Sequence, residues 1–344
     1  MSLRLEIIDP GMAVAVQDRG RFGLRRFGVP VAGALDPTLL ACANALLGNP
    51  PDAAGLELLI GGPALTANGG SVAIALAGDV SAQRISPDGG ASPVKPWTAV
   101  VLTSGEMLRV APPRKGIAYL AVSGGIQTEP MLGSRATYRR AGLGGFLEKG
   151  GSLPCAAAGA LHQGKAWAWE TDPIRVLPGP QDDHFPPESF DALERQSFKV
   201  GPASDRMGLR LSGASPLQHT DKGAEIATDG VTPGVIQVPG DGQPIVLLAD
   251  GQTTGGYAKI ATVISADLPR LGHLRPGDAV EFKLVTRDEA SKALNGRQAA
   301  FARWCSALTG AAGRFGEERV SGQIDQAALY RANLISGAIS GQDE

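Results

Sequence analysis

Ten consecutive residues, Asp250-Gly-Gln-Thr-Thr-Gly-Gly-Tyr-Ala-Lys259, combine a carboxylate, an amide, two adjacent hydroxyls, paired glycines, a phenol and an amine. They follow the apolar run Pro244-Ile-Val-Leu-Leu-Ala249, which reads as a buried strand, so the segment is expected to be a loop at a strand end. Paired glycines let backbone N–H groups approach a ligand closely, and successive N–H groups can form an anion-binding nest. Thr253, Thr254, Gly255 and Gly256 are the candidate nest. Asp250 and Lys259 are candidates for proton transfer or for holding developing charge. The plainer reading is a glycine-rich turn with solvated polar side chains.

The elements around this segment read mostly as short strands. Residues 3–17 alternate loosely and turn at Pro10-Gly11. Asp36 is a good N-cap and Pro37 suits the first helical position, so a helix is expected from 37, with Leu39, Leu40, Ala43, Leu46 and Leu47 as its apolar face and Gly48 as its stop. Glu57 interrupts an apolar strand, Leu56-Glu-Leu-Leu-Ile60. It is either on the solvent face or a buried functional group, and the solvent face is the expectation. Runs such as Val72–Ala77 and Ile117–Val122, bounded by Gly, Pro or Ser, read as further strands. A second unit opens near Ile174 and runs to Leu284, and residues 287–310 read as a helix with a partial apolar face of Ala290, Leu294, Ala299, Phe301, Trp304 and Leu308. In the tail beyond, Leu329, Tyr330, Leu334 and Ile335 could dock on the core. Two echoing phrases, Ser104-Gly-Glu-Met-Leu-Arg-Val110 and Pro276-Gly-Asp-Ala-Val-Glu-Phe282, hint at two related β units in tandem.

Length and composition agree with this outline. The 344 residues suggest two domains or one large one, and 47 glycines with 25 prolines favour many short strands over long helices. The expected organisation is one β unit over 1–165, a second over 166–286 and a helical extension over 287–344. A net charge of −2 supplies no basic field for nucleic acid or an anionic membrane. Three distant cysteines and four histidines without ligand spacing point to reduced thiols rather than disulfides or a metal site. With no signal-like opening and no apolar run of roughly 18 residues, the chain reads as soluble and cytoplasmic.

Several stretches line up, in order, with one family: Gln17-Asp-Arg-Gly-Arg21, Gly28-Val-Pro-Val-Ala-Gly-Ala-Leu-Asp36, Leu132-Gly-Ser-Arg135, Ser204-Asp-Arg-Met-Gly208, Asp229-Gly230, Gly234-Val-Ile-Gln-Val-Pro239, Asp250 to Lys259 and Leu274-Arg-Pro-Gly-Asp278. Together they resemble the biotin-dependent carboxyltransferase / allophanate hydrolase subunit 2 family across nearly the whole chain. The resemblance implies a mainly β fold of two tandem cyclophilin-like β-barrel units with a few short helices and a C-terminal helical tail. It implies the role of the C-type component in an ATP-dependent 5-oxoprolinase that opens the lactam of 5-oxoproline to glutamate. The implied partners are the KipI-like B-type and the A-type components of that 5-oxoprolinase, and the isolated chain is expected to be inactive. Two alternatives stand: a carboxyltransferase component acting on urea or a related amide, and a non-enzymatic antagonist of a KipI-like kinase inhibitor. His273 stands where the family often has Gln, and Gly150-Gly-Ser152 where it often has a Gly-Asp pair. No Ala-Met-Lys-Met segment occurs, so biotin is not covalently carried here.

Opening a resonance-stabilised lactam with ATP requires donors for phosphoryl oxygens, a basic group for the substrate carboxylate and a carboxylate to orient or deprotonate water. Besides the nest, Lys259, Arg19 and Arg206 could neutralise negative charge, and Gln237 and Gln252 could read an amide edge. Asp250 or Asp18 could serve as base. Tyr257 is a substrate wall or a packing residue. The competing readings are an ion pair of Arg206 with Asp205 or another acid and a salt-bridged turn of Arg19 and Arg21 with Asp18. No Gly-x-x-x-x-Gly-Lys-Ser/Thr occurs, so ATP is expected on another polypeptide of the complex or in a shared cleft.

Overall fold

The computed structural model describes residues 3–157 and 159–310. Strands dominate it, as expected, and the four α-helices are Pro37–Ala45 (α1), Pro187–Arg195 (α2), Leu268–Leu271 (α3) and Arg287–Ser306 (α4). Asp36 caps α1 as the sequence implied: its side chain accepts from the Leu39 backbone N–H at 2.9 Å, with Pro37 in the first turn. Thr286 and Glu289 form a reciprocal capping box at the start of α4. Helix α2 has a proline in its first turn but no side-chain cap, and it was not among the expected elements.

The N-terminal strands form two antiparallel sheets, one of six strands and one of five. Leu5, Leu65 and Leu108 of the first meet Leu56, Leu76 and Leu120 of the second in a shared core. The five-stranded sheet is buried on its other face too, where Ala73, Ala75, Tyr119 and Ala121 lie under α1 and under Phe301 and Cys305 of α4. A sheet covered on both faces needs strands without alternation, which explains the unbroken run Val72–Ala77.

Residues 174–284 supply one eight-stranded sheet around a second core that contains Val176, Phe198, Ile236, Val246, Ile260 and Phe282. Its outermost strands, Ala279–Val280 and Phe282–Leu284, are consecutive in the chain, separated by Glu281 alone. The sheet therefore curls until its two edges nearly meet, a nearly closed barrel. A separate two-stranded ribbon pairs Glu225–Gly230 with Thr254–Tyr257. Helix α4 then returns the chain to the first half, where Thr309–Gly310 pair with His162–Gln163. The tail residues Leu329, Tyr330, Leu334 and Ile335 lie outside the described residues. All three cysteines are free. Among the described residues no helix is long and apolar enough to cross a membrane.

Candidate functional site

The two sheet systems are joined by polar groups, one set of which centres on Arg206. Its Nε and Nη2 donate to the two carboxylate oxygens of Asp250 at 3.1 and 2.8 Å. Its Nη1 donates to Glu57 Oε1, and Nη2 also donates to the Gly33 carbonyl at 2.7 Å. Arg206 thus pairs with Asp250 and Glu57, not with its neighbour Asp205. Gly33 cannot be anything larger here, because a Cβ would lie 2.3 Å from the Arg19 carbonyl oxygen. The backbone locks in the same place: Ala32 N–H donates to Ala249 O at 2.9 Å.

Glu57 overturns the solvent-face expectation. It is 1 % exposed. Leu56 and Leu58 face the first core, so the alternation of the strand turns Glu57 to the opposite face, which α1 and the Leu35 backbone cover. Its Oε2 accepts from the Tyr119 hydroxyl and from Leu35 N–H at 2.9 Å. Tyr119 in turn accepts from Asp36 N–H at 3.0 Å. Burial, together with the Glu57 charge, pushes the Tyr119 hydroxyl well above its ordinary range, so it stays a neutral donor. A buried carboxylate with three donors is fully satisfied, which is the condition for tolerating it.

Asp250 lines a cleft of about 570 Å³ together with Gln17, Arg139, Arg140, Arg206 and Arg275. Burial raises the proton affinity of Asp250, and the neighbouring Arg206 only partly opposes this. Arg206 divides its charge between two acids. Burial alone would weaken its hold on the proton, but Glu57 and Asp250 outweigh that and strengthen it.

Lys259 sits differently from the sequence expectation. The segment 250–259 is not a loop: Thr254–Tyr257 is a strand of the two-stranded ribbon, and Lys259 begins a strand of the barrel sheet. Gly255 and Gly256 have no positive φ, so the expected nest of N–H groups at 253–256 does not form. Gly255 is needed for closeness instead, since a Cβ there would lie 2.4 Å from Gln237 Nε2. Lys259 is 2 % exposed, and its ammonium donates to the largely exposed Asp229 carboxylate. The Lys259 hydrogen bond, then that of Gly230 N–H, lowers the Asp229 carboxyl below its ordinary range.

The remaining candidates fall around these two groups. Gln237 is buried beside Lys259, and Gln252 Nε2 donates to Gln237 Oε1 at 3.4 Å. Gln252 follows Asp250 by two residues and so links the groups, while Arg25 from the first half holds the Gln252 and Val231 carbonyls. Thr253 accepts backbone pairing from Val231 N–H at 3.0 Å, and Tyr257 lies on the exposed edge of the ribbon. The Arg19 guanidinium lies 5.4 Å from the Phe22 ring centre. Asp18 is consumed by Gly20 N–H, the Ser134 hydroxyl and Arg135 N–H, which makes it a loop organiser rather than a base. No hydrogen bond or ion pair joins Asp250 to Lys259 among the described residues. His273 bonds to Asp36 at 2.7 Å and accepts from Ile117 N–H at 3.2 Å, away from the ribbon. Among the described residues no group of three His, Cys, Asp or Glu is placed to hold a metal ion.

Sequence reasoning missed the buried role of Glu57, and with it Tyr119, Arg139 and Arg140. A lone acid in an otherwise apolar strand was the available signal. Its partner lies 149 positions away.

Most of the chain has known relatives. The C subunit of 5-oxoprolinase from Escherichia coli (strain K12) is 37 % identical over 308 residues, covering 86 % of this chain and 96 % of that one. The crystal structure of TTHA0988 superposes with a TM-score of 0.71 at 34 % identity, over 82 % of this chain and 56 % of that chain. The Kluyveromyces lactis urea amidolyase superposes with a TM-score of 0.79 at 26 % identity, over 88 % of this chain. The chain spans little more than half of the TTHA0988 chain and 20 % of the urea amidolyase. Residues 27–284 match the carboxyltransferase domain, subdomains A and B, and the chain belongs to that family.

Proposed function

We propose that this chain is the C-type component of an ATP-dependent 5-oxoprolinase, working with KipI-like B-type and A-type components to open 5-oxoproline to glutamate. The position of Asp250 carries the reading. It is a carboxylate with raised proton affinity, fixed by Arg206 on the wall of a cleft with arginines at its rim. A group that must take a proton from an attacking water needs a pKa moved toward neutrality and a fixed direction, and Asp250 has both. The near-complete coverage of the Escherichia coli 5-oxoprolinase component supports the choice of reaction.

ATP supplies the phosphoryl group that activates the lactam oxygen. Arg139 and Arg140 suit anionic oxygens at the cleft rim, whereas Arg206 is saturated by two acids and positions Asp250. Lys259 offers a second, exchangeable anion partner, since the carboxylate it holds is itself open to water. Gln237 and Gln252 present the amide groups that a lactam edge would pair with.

The higher TM-score to the urea amidolyase favours a second reading, transfer of a carboxyl group to urea or a similar amide. One experiment tests both. The chain is mixed with its cognate A-type and B-type partners, ATP and 5-oxoproline, and glutamate is measured. Glutamate formation is expected; folded components that form none overturn the reading. Turnover of urea that avidin abolishes establishes the alternative.

A further inference from the structure

Arg21 is a buried cation without a bonded counter-charge. It is 2 % exposed. Its Nε donates to the Met131 carbonyl at 3.0 Å and its Nη2 to the Ser134 carbonyl at 3.4 Å, while Nη1 is buried and meets no acceptor among the described residues. No carboxylate forms an ion pair with it there. Asp18 has its oxygens engaged by Gly20 N–H, the Ser134 hydroxyl and Arg135 N–H. The salt-bridged turn that the sequence allowed is therefore absent for Arg21. Burial loosens the hold of the guanidinium on its proton, and the charges of Asp18 and then Asp250 only partly oppose this. A charge withdrawn from water is ordinarily paired, because leaving it alone is costly. Two carbonyl oxygens need only neutral donors, so the full charge and the spare N–H call for another partner.

The space around Arg21 has room for one. Arg21 lines a cavity of about 470 Å³ together with Arg135 and Thr137, and the exposed Glu129 and Glu148 stand on the same wall. Thr137 and Phe146 line both this cavity and the Asp250 cleft, so the two spaces are neighbours. Gln17 lines the cleft and is 1 % exposed. Its Nε2 donates to the Thr137 carbonyl at 3.3 Å, which fixes Oε1 as the other end of the amide, and Oε1 is buried without a donor. Arg21 is bonded to residue 134 and Gln17 to residue 137. The stranded N–H and the stranded oxygen thus belong to one short stretch of wall, and together they complement a small molecule that carries both an anion and an N–H group.

The anion that fits is a carboxylate. The Nη1–Nη2 edge of a guanidinium matches two oxygens lying in one plane. A phosphate dianion would face Glu129 and Glu148 in the same cavity, and the other cation lining it, Arg135, is already engaged by the Thr128 and Gln127 side of the wall at 2.6 and 3.4 Å. We propose that Arg21 binds the carboxylate of a small amide-bearing acid, with Gln17 accepting its N–H, and so holds that acid beside Asp250. That the acid is 5-oxoproline rests on the reading above. The phosphoryl oxygens of an activated lactam are then left to the rim arginines and Lys259.

The test compares 5-oxoproline with its neutral amide, 5-oxoprolinamide, and with inorganic phosphate. Binding to the full chain, alone and with its cognate A-type and B-type partners, is measured by ligand-observed NMR, with folding checked by circular dichroism. Wild type is expected to prefer the acid over the amide by about tenfold or more, the scale of a hydrogen bond to a charged group. Arg21→Gln should erase that preference by weakening the acid alone. Arg21→Lys should keep part of it, since the charge stays and the planar fork goes. In the complex, Arg21→Gln should raise KM for 5-oxoproline by about tenfold, well beyond any fall in kcat. If Arg21→Gln does not fold, Arg21→Lys carries the same comparison. Equal weakening of acid and amide makes Arg21 only a brace for the turn at 131–134 and overturns the proposal. A wild type that binds neither compound, or both alike, overturns it too, as does phosphate binding more tightly than the acid. Discrimination through Arg21 in a complex that forms no glutamate refutes the 5-oxoprolinase reading and leaves the carboxylate site standing.

Discussion

The molecule contains two cation–carboxylate pairs of similar chemistry and opposite design. At the junction of the sheet systems, Arg206 is shared by Asp250 and Glu57, and all three are largely withdrawn from water. At the ribbon, Lys259 is buried but its single acid, Asp229, is 56 % exposed. The carboxyl groups respond in opposite directions. Burial lifts Asp250 despite Arg206, whereas the Lys259 hydrogen bond depresses Asp229. A cation divided between two buried acids leaves one of them proton-hungry, and a cation given wholly to a solvated acid does the reverse. In the proposed reaction the first arrangement serves as the fixed base and the second as an exchangeable anion site.

The largest expected difference is in stability. Arg206→Met strands two buried carboxylates and should lower the unfolding free energy by roughly 3–5 kcal/mol, read by denaturant titration. Lys259→Met removes a buried ammonium and leaves Asp229 free to hydrate, so the unfolding midpoint should barely move. Equal losses in the two variants would erase the contrast.

Activity comes next. In the reconstituted complex Asp250→Asn should cut turnover by at least about tenfold, the scale of a lost general base. Lys259→Met should also cut it by at least about tenfold, but with the loss partly recovered at high substrate if Lys259 holds the substrate anion. Unchanged turnover in both variants moves the site elsewhere.

The smallest effects are in titration. Asp250 binds its proton more tightly folded than unfolded, so its contribution to stability is complete below the unfolded pKa and drains as pH rises through the folded one. Asp229 has the opposite sign: its contribution is complete above the unfolded pKa and drains as pH falls through the depressed one. Carboxyl-carbon NMR should therefore find Asp250 titrating above the ordinary aspartate range and Asp229 below it. In Lys259→Met the Asp229 resonance should return to the ordinary range, while Asp250 stays where it was.

Much of this was legible in the residues. The α1 start at Asp36-Pro37, the strand before Asp250, the family resemblance and the mainly β fold all rest on local pattern, and local pattern survives folding. What escaped depends on distant neighbours. Glu57 looks solvent-facing until Leu35 and Tyr119 are seen to enclose it. Thr253–Gly256 looks like a nest until the strand Glu225–Gly230 pairs with it and straightens its backbone. Lys259 reads as a mobile loop amine because nothing nearby in sequence announces that it starts a barrel strand.

The seam of the eight-stranded barrel has a consequence for assembly. Strand addition by another polypeptide needs a long run of unpaired N–H and C=O groups, and here the border strands are only Ala279–Val280 and Phe282–Leu284. Tethered through one residue, they shield each other from templating. Visitors to the barrel seam must therefore read side chains instead of zipping onto main chain, which leaves recognition there adjustable by point substitution and guards the barrel against runaway edge-to-edge growth.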